Sequence, residues 1–316
     1  MSVLNVDYAK EIQRLKKEKN AVILAHNYQI SQIQDIADFV GDSLKLSKMA
    51  AETNASIIVF CGVHFMAETA SIISPEKKVL IPDLDAGCSL ASSINPEELI
   101  EWKRQNPKAV VVSYVNTSAE IKALSDYCCT SSNAAKVVQS IPKEQPILFL
   151  PDMFLGAYVA EVTKRTNIKI WPGECHVHAG IRAEDINAML KSYKNAEFLV
   201  HPECSCTSST LYHISKGDIN KDTKILSTEG MMKEARVSHN RQFIVATETG
   251  MLYRMKVENP EKEFIPIKND AVCKYMKKIT VEKVYNSLVN ESYEVKVPKE
   301  IAEKATVPIQ RMLNIA

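Results

Sequence analysis

Short apolar segments of strand length alternate with amphipathic segments along the chain, and this alternation restricts the fold more than any other feature. The apolar segments, rich in Val, Ile and Leu, lie at 21–26, 56–62, 78–83, 109–115, 146–152, 196–203, 224–228 and 242–247. Between two of them, apolar residues recur at the spacing of one helix face, at Ile33, Ile36, Ala37 and Val40. Unbroken apolar strands separated by helices are typical of parallel sheets covered on both faces. The sequence therefore predicts an α/β fold.

The alternation repeats in three groups, each of roughly 70–95 residues and three strands, which is enough for a small domain. VLIPDLDAGCSLA (79–91) and ILFLPDMFLGAYVA (147–160) share P-D-x(3)-G-x(3)-A, and IVATETGMLY (244–253) occupies the same place in a fainter third group. Chance similarity of ordinary strand–helix units is the alternative, but we interpret the pattern as internal triplication. We predict three homologous three-layer α/β/α domains with parallel sheets, in a pseudo-threefold arrangement around a central active site. Their predicted limits are 1–88 (with 277–316 packing back onto it), 89–173 and 174–276.

The balance of charge argues against a nucleic-acid or membrane-surface partner. Of the 316 residues, 39 are Lys or Arg and 38 are Asp or Glu, so the formal net charge is +1. Residues 1–20 are charged and helical in pattern, without the apolar core of a signal peptide, and the apolar segments are too short to span a membrane. We expect a cytoplasmic protein with no nucleic-acid or membrane partner.

Polar turns leading into helices stand at comparable places in the three groups: GDS (41–43), CTSSN (129–133) and STEG (227–230). Ser and Thr at such turns are usually helix N-caps and nothing more. Three at equivalent places would bring three helix N-termini together, and their free N–H groups and hydroxyls bind phosphates and carboxylates. Functional crevices of open parallel sheets lie at the carboxyl ends of the strands. The sequence therefore predicts an anion-binding pocket between the three domains.

The chain has eight cysteines and no C-x-x-C pair, which weakens the case for a structural zinc ribbon. A reducing cytosol argues against structural disulfides, and a single cysteine is most often a small buried hydrophobic residue. Three of the eight, Cys88, Cys175 and Cys273, recur at about the length of the repeat. A pseudo-threefold arrangement would bring these three thiolates together. Ligation by thiolates alone, with one position open, favours an iron–sulfur cluster over zinc.

A series of short motifs runs through the chain in the order AHNYQ (25–29), GDS (41–43), FMAETA (65–70), DAGCSLA (85–91), YVNTSAEIKA (114–123), TSSNA (130–134), GECHVH (173–178), HPEC (201–204), STEGM (227–231), ATETG (246–250) and CKYMKKIT (273–280). In their number and order these motifs resemble the quinolinate synthase family, iron–sulfur enzymes of NAD biosynthesis. The resemblance extends from about residue 10 to the C-terminus.

The resemblance implies a reaction and a cofactor. Iminoaspartate and dihydroxyacetone phosphate would be condensed to quinolinate, phosphate and two waters at a central site between three α/β/α domains. One 4Fe–4S cluster would be held by Cys88, Cys175 and Cys273, with one iron open to bind substrate oxygen as a Lewis acid. An aspartate oxidase or dehydrogenase that supplies the iminoaspartate is the implied protein partner.

The resemblance also assigns roles to polar residues. Catalytic roles go to Glu203 as general base, His201 as its support, Tyr28 and Tyr114. A carboxylate suits this role if the closed site raises its pKa towards neutrality. Substrate contacts are implied for His26, Ser43, Tyr114, Asn116, Ser131, His178, His201, Glu203 and Thr228. Among these, Ser43, Ser131 and Thr228 would hold the phosphate and carboxylate groups.

The remaining cysteines and histidines have simpler interpretations. We expect Cys61 to be packed in the core and Cys128 and Cys129 to be packed beneath the TSS turn. We expect His176 to be a packing or surface residue and His213 to be structural. Cys204 and Cys206 are interpreted as inert thiols, because thiols are reactive only in exposed, electropositive surroundings. Competition for iron and a redox disulfide remain the alternatives for this pair.

Two other functional classes are weaker. A zinc hydrolase built on Cys175 and His178, with Glu203 or Glu174, lacks a helical H-x-x-x-H or a dense set of histidines. A non-enzymatic iron–sulfur sensor explains the three cysteines but not the polar residues of HNY and HPEC, and no basic DNA-binding element is visible.

Overall fold

The computed structural model describes residues 7–207, 210 and 223–315, and its framework is three parallel sheets of four strands each. The strands are β1 (Ala21–His26), β2 (Phe39–Gly41), β3 (Ile57–Cys61), β4 (Lys78–Leu80), β5 (Val110–Tyr114), β6 (Tyr127–Cys129), β7 (Ile147–Leu150), β8 (Ile168–Ile170), β9 (Glu197–Val200), β10 (Lys224–Ile225), β11 (Gln242–Ala246) and β12 (Glu263–Pro266). The sheet orders are β2-β1-β3-β4, β6-β5-β7-β8 and β10-β9-β11-β12. The three sheets therefore share one topology, and the predicted three-domain α/β fold is confirmed.

Helices connect and cover the strands. They are α1 (Tyr8–Glu18), α2 (Ser31–Ile36), α3 (Ser43–Glu52), α4 (His64–Ile73), α5 (Pro96–Gln105), α6 (Ala119–Ala123), α7 (Ala134–Ser140), α8 (Met153–Thr163), α9 (Ala183–Ser192), α10 (Thr228–Val237), α11 (Met251–Glu258), α12 (Val281–Asn290) and α13 (Lys299–Asn314). None of these helices within the described ranges combines the length and the hydropathy needed to cross a membrane. His213 lies outside the described residues.

The central strands were found from the sequence because both of their faces are covered. β3 and β7 are buried along their whole length, and so is β9. A strand buried on both faces must be apolar throughout, which is the pattern that marks it in the sequence. β2 and β12 lie at the edges of their sheets and keep exposed residues, so their short segments FVG and EFIP show no such pattern. The prediction of three strands per domain was therefore one strand too low.

The proposed alignment of 79–91 with 147–160 is wrong in register. β4 is the outer, fourth strand of the first sheet, whereas β7 is the third strand of the second sheet and pairs with β5. The strands equivalent to β7 are β3 and β11, which pair with β1 and β9 in the same way. The shared P-D-x(3)-G-x(3)-A pattern therefore reflects similar sequences at the ends of β4 and β7, which do not occupy equivalent positions in their sheets. The triplication itself stands, because it follows from the common topology.

The C-terminal segment contacts two domains. α12 packs on α1 and β3 of the first domain. α13 lies mainly against α6 and β6 of the second domain and also touches α4. Asn133 Nδ2 donates to the carbonyl oxygen of Met312 at 3.0 Å, and Arg311 Nη1 to that of Asp126 at 2.6 Å. The part of 277–316 that packs back onto the first domain is therefore chiefly α12. The domain limits at 88 and 173 stay predictions.

Candidate active site

The carboxyl ends of β1, β5 and β9 meet at one cavity of about 60 Å³. The pairing of each central strand with its neighbours makes His26, Tyr114 and His201 equivalent positions in the three sheets. Two residues further along the chain stand Tyr28, Asn116 and Glu203. The cavity is lined by every predicted site residue, namely Cys88, Cys175, Cys273, His26, Tyr28, Ser43, Tyr114, Asn116, Ser131, His178, His201, Glu203 and Thr228. The fold thus brings the whole predicted set together, while the roles of its members stay predictions.

Glu203 is held by residues from different parts of the chain. Its Oε1 accepts a hydrogen bond from the hydroxyl of Tyr114, and its Oε2 lies 3.3 Å from His178 Nδ1. The ring of His178 stacks on that of His201 with centroids 4.8 Å apart, and His201 Nδ1 lies 3.8 Å from Glu203 Oε1. The side chains of Glu203 and His178 are 3% and 2% exposed. A buried carboxylate is tolerated only when it is paired in this way.

These neighbours decide the ionisation of Glu203. Burial acts to raise the pKa of Glu203, but His201, His178 and the Tyr114 hydroxyl together lower it to about 2. Glu203 is therefore a carboxylate, and the expectation that the closed site raises its pKa towards neutrality is wrong in direction. Burial likewise acts to lower the pKa of His178, but Cys175 and Glu203 raise it to about 10. Burial lowers the pKa of His26 to about 3, so that ring is neutral.

Tyr28 forms a second polar group in the cavity. Its Oη lies 2.6 Å from Thr247 Oγ1 and 3.4 Å from His178 Nε2, and Thr247 Oγ1 lies 3.0 Å from the same nitrogen. The ring of His26 meets that of Tyr28 edge to face at 4.5 Å. Burial raises the pKa values of Tyr28 and Tyr114 well above the ordinary value. Both phenols are therefore neutral and carry a proton that they can donate.

The helix-start hydroxyls are not the side-chain caps of their helices. The cap of α3 is Asp42, whose carboxylate accepts from Lys45 N, and the cap of α10 is Ser227, whose hydroxyl accepts from Gly230 N. Ser43 and Thr228 are the first residues of these two helices. Their hydroxyls, together with that of Ser131, therefore line the cavity next to N–H groups that attract anions. The interpretation of these residues as simple N-caps is wrong for Ser43 and Thr228.

Cys88, Cys175 and Cys273 occupy equivalent positions. Each follows the fourth strand of its sheet: β4, β8 or β12. All three thiols are free and line the cavity, whereas Cys61, Cys128 and Cys129 are free but buried in the apolar cores, as predicted. Burial raises the pKa of Cys88 to about 12, and the nearby Cys273 adds to the rise. Three soft donors around one cavity have the character of a metal-binding set.

Comparison with known proteins identifies the family. A sequence model of the family described as "Quinolinate synthetase A protein" matches residues 10–314. The chain belongs to this family. It is 56% identical over 307 residues to the quinolinate synthase of Thermus thermophilus, covering 97% of each chain. It is 54% identical to that of Pyrobaculum aerophilum, covering 97% of this chain and 99% of the relative. It is also 54% identical to that of Mycobacterium leprae, covering 98% of this chain and 88% of the relative. The resemblance seen in the motifs is confirmed.

Next to Glu203, this member of the quinolinate synthase family carries a disulfide. Cys204 and Cys206 are joined, and both side chains are fully buried. The expectation that Cys204 and Cys206 are inert free thiols is therefore wrong, and a disulfide was one of the two alternatives left open for this pair. The general argument against disulfides failed here because the turn after β9 places two nearby residues side by side, with their Cα atoms 5.2 Å apart.

Several residues around the cavity of this quinolinate synthase family member had no predicted role. Asp42, His176, Glu248 and Tyr275 line it. His176 Nδ1 lies 2.8 Å from Ser89 Oγ and its ring packs on Tyr275, while the residue remains exposed, so both parts of its interpretation as a packing or surface residue agree with the structure. Glu248 and Tyr275 belong to the motifs ATETG and CKYMKKIT, which supported the family resemblance. Those motifs were the only feature of the sequence that pointed to these residues. Their spacing from neighbouring residues in the chain indicates no function.

Among the described residues, one group of mixed ligands is also compact. Single ligand atoms of Cys175, His178 and Glu203 all lie within 4.8 Å of one another. The dense set of histidines that a zinc site needs was missing from the sequence, yet the fold brings His26, His178 and His201 into one cavity. The site can therefore hold a metal. However, His178 and Glu203 already pair with each other, and zinc here would leave the other two thiols of the cavity unused.

Proposed function

We propose that this chain is a quinolinate synthase that condenses iminoaspartate with dihydroxyacetone phosphate to quinolinate, phosphate and two waters in NAD biosynthesis. The observation that carries the proposal is the meeting, in one cavity, of three thiols, a paired carboxylate and the hydroxyls of Ser43, Ser131 and Thr228, which follow strands of three equivalent sheets. Members named quinolinate synthase are 53–56% identical to the chain, which supports the same reaction here.

The anionic groups of the substrates are held by Ser43, Ser131 and Thr228. Each hydroxyl lines the cavity, and two of them begin ten-residue helices in which the cap residue occupies one of the first N–H groups, that of Lys45 or of Gly230. Asn27 Nδ2 lies 3.0 Å from Thr228 Oγ1 and orients that hydroxyl. Asn116 Oδ1 is buried and has no hydrogen-bond partner among the residues that the structure describes, so it is available to a substrate amine or hydroxyl. Charge-assisted hydrogen bonds of this kind are about twice as strong as neutral ones.

Proton transfer is assigned to Glu203, Tyr114 and Tyr28. The Glu203 carboxylate is the proton acceptor, because it is ionised and fixed by Tyr114 and His178. Tyr114 and Tyr28 are neutral and carry the protons that dehydration requires. Two condensations and two losses of water need proton transfers at several atoms, and several acids and bases around one cavity can provide them. Exclusion of water by the buried surroundings of Glu203 strengthens each of these interactions.

The cavity fits a 4Fe–4S cluster held by Cys88, Cys175 and Cys273. The three donors are all soft thiols, each placed after the last strand of its own sheet. When bound, the cluster supplies Lewis acidity at the iron that has no protein ligand.

The reaction needs a supply of iminoaspartate, which hydrolyses readily. An aspartate oxidase or dehydrogenase is the class of enzyme that can supply it, and such an enzyme is the proposed protein partner. We place the protein in the cytoplasm on the basis of its composition.

The decisive experiment is an anaerobic assay. The purified protein is reconstituted with iron and sulfide, given both substrates, and analysed for quinolinate and phosphate by chromatography. We expect brown protein with about four irons per chain and equimolar release of both products. Colourless protein that contains one zinc and makes no quinolinate would overturn the proposal and support the mixed Cys–His–Glu site instead.

A further inference from the structure

A buried carboxylate beside the cavity has no part in the chemistry proposed above. Glu248 follows β11, and its side chain is completely buried. Its Oε1 accepts from the backbone N–H of Cys273 at 3.0 Å and lies 2.9 Å from Lys277 Nζ. Its Oε2 accepts from the backbone N–H of Gly250 at 2.7 Å. Both oxygens are therefore engaged, and Glu248 is not a free base facing the substrate.

Lys277 extends this contact to the first domain. Besides pairing with Glu248, its ammonium group donates to the backbone carbonyl of Tyr28. Gln34 Nε2 adds a second connection between the same domains, because it donates to the carbonyl of Gly250 at 3.0 Å. One ion pair, with Glu248 fully buried and Lys277 half-buried, thus touches both the loop of Cys273 and the turn of Tyr28.

Gly250 leaves the space that this arrangement needs. A Cβ at this position would lie 2.8 Å from each of Glu248 Oε2, Lys277 Nζ and the Tyr28 carbonyl oxygen. The backbone of Gly250 has an ordinary helical conformation (φ −59°), so left-handed geometry does not account for a glycine here. The close approach of the ion pair to the chain is the physical reason for it.

We propose that Glu248 and Lys277 are positioning residues that hold the Cys273 loop against the Tyr28 turn. The proposal rests on the proposed function in taking Cys273 as a cluster ligand and Tyr28 as a proton donor. A buried ion pair is a poor device for stability alone, since desolvation offsets much of its attraction. Its value lies in fixed geometry: an ammonium that must reach both a carboxylate and a carbonyl permits few arrangements of the three segments. Groups that orient metal ligands in this way typically change metal affinity or activity by roughly 10–100-fold when removed.

The test compares iron release from the reconstituted full chain to a chelator. The variants are Lys277→Met and Glu248→Gln, and the matched control is Lys278→Met. Lys278 is exposed and stands in the same short 3₁₀ helix, so its replacement removes the same charge. We expect release to be at least about 10-fold faster in both variants than in the control. Equal rates in Lys277→Met and Lys278→Met would overturn the proposal.

The test must distinguish a variant that destabilises the protein from one that displaces the Cys273 loop. The double variant Glu248→Gln/Lys277→Met leaves no unpaired buried charge, so we expect it to recover most of the melting temperature lost by the single variants. We nevertheless expect its fast iron release to persist. A double variant that holds iron as firmly as the wild type would show that the pair serves only stability. Gly250→Ala keeps both charges but fills their space, and it should release iron as the single variants do.

A last readout does not depend on the cluster or on quinolinate formation. In the cluster-free full chain, the rate of Cys273 alkylation by iodoacetamide is followed by peptide mass spectrometry. Faster alkylation of Cys273 in Lys277→Met than in Lys278→Met, with Cys88 unchanged, is the expected result. If the wild type makes no quinolinate, the proposed function fails, and this comparison still decides the role of the pair. Identical alkylation in the two variants would refute it.

Discussion

Glu203 shows how strongly single neighbours determine the chemistry of a buried residue. Its side chain is 3% exposed, and burial by itself acts to raise its pKa. The Tyr114 hydroxyl and two histidines reverse that effect, so the group remains a carboxylate. The residue is therefore ionised, as a proton acceptor must be, but these contacts make it a weak base for as long as they persist.

We predict that Glu203→Gln leaves a folded protein that retains iron and binds substrates but makes little quinolinate. Gln keeps the shape and can still accept the hydrogen bond from Tyr114, but it cannot take up a proton as a carboxylate can. Loss of a general base typically slows turnover by about 10²–10⁴-fold. Iron content, substrate affinity and turnover should be measured on one anaerobic preparation. Turnover near that of the wild type would transfer the role to Tyr28 or Tyr114.

A second prediction at this scale separates the cysteines by location. Cys88→Ala, Cys175→Ala and Cys273→Ala should each lose the cluster, because two thiolates do not secure a cluster that already has an open iron. Cys61→Ala and Cys128→Ala are the matched controls, since both thiols are free, buried in the apolar core and absent from the cavity. Iron and sulfide analysis after reconstitution is the measurement. Iron loss in a control together with full retention in Cys273→Ala would show that the third ligand is wrong.

At the scale of elements, helix ends do most of the positioning. Ser132 Oγ lies 2.7 Å from Asp42 Oδ2 and 3.0 Å from Ser227 Oγ, so it connects the caps of α3 and α10. The three helix starts of the predicted anion pocket are thereby joined by side chains from all three domains. Helix capping depends on the local sequence. Here, hydrogen bonds to the cap residues also connect helices that are far apart in the chain.

The end of α12 provides a pH-dependent prediction. Glu291 follows this helix in a left-handed conformation (φ 48°), and its carboxylate accepts from Lys19 at 2.7 Å and from Lys78 at 2.5 Å. These hydrogen bonds lower the pKa of Glu291 to about 2. The stabilisation is therefore complete above the unfolded-state pKa near 4.5 and is lost as the pH falls towards 2.

Glu291→Gln should accordingly destabilise the protein at pH 7 and less so at pH 3.5. The side chain is 31% exposed, so each ion pair is expected to contribute only about 0.2–1 kcal/mol. Urea unfolding at the two pH values is the measurement. Glu303→Gln is the control, because its pair with Lys299 is 3.8 Å long and exposed. A difference between wild type and Glu291→Gln that does not shrink at pH 3.5 would contradict this account.

At the scale of the whole molecule, the C-terminal helix joins the first two domains. α13 contacts α4 as well as α6 and β6, and the ring of Tyr127 lies 4.9 Å below the guanidinium of Arg311. Asn133, at the start of α7, is buried, and its amide group donates to Met312 O and accepts from Thr130 N. This helix therefore depends on polar contacts that its own sequence does not supply.

We predict that Asn133→Ala lowers the free energy of unfolding by about 1–3 kcal/mol, because it leaves buried backbone groups without partners. Amide hydrogen exchange in α13 should accelerate more than exchange in α12, which packs on α1 instead. Thermal unfolding and exchange mass spectrometry are the measurements. Uniform acceleration in both helices would mean that the two do not open separately.

The sequence by itself determined the central strands, and its motifs predicted a set of polar residues that the fold gathers around one cavity. Val22–Ala25 and their counterparts are apolar without interruption because they are covered on both faces, so the fold class was readable. The repeated spacing of Cys88, Cys175 and Cys273 reflected a real equivalence, since each follows the last strand of its sheet. Local patterns encode these features because burial and strand order repeat along the chain.

Only the tertiary structure decided which site residues touch. The partners of Glu203 include Tyr114, 89 residues earlier in the chain, and the partners of Lys277 include Tyr28, 249 residues earlier. The lowered pKa of Glu203 depends on those contacts and could not be inferred from HPEC alone. Neither periodicity nor spacing describes how three sheets are placed against one another. That placement is set by packing across the whole molecule, and it determines the electrostatic surroundings of each buried group.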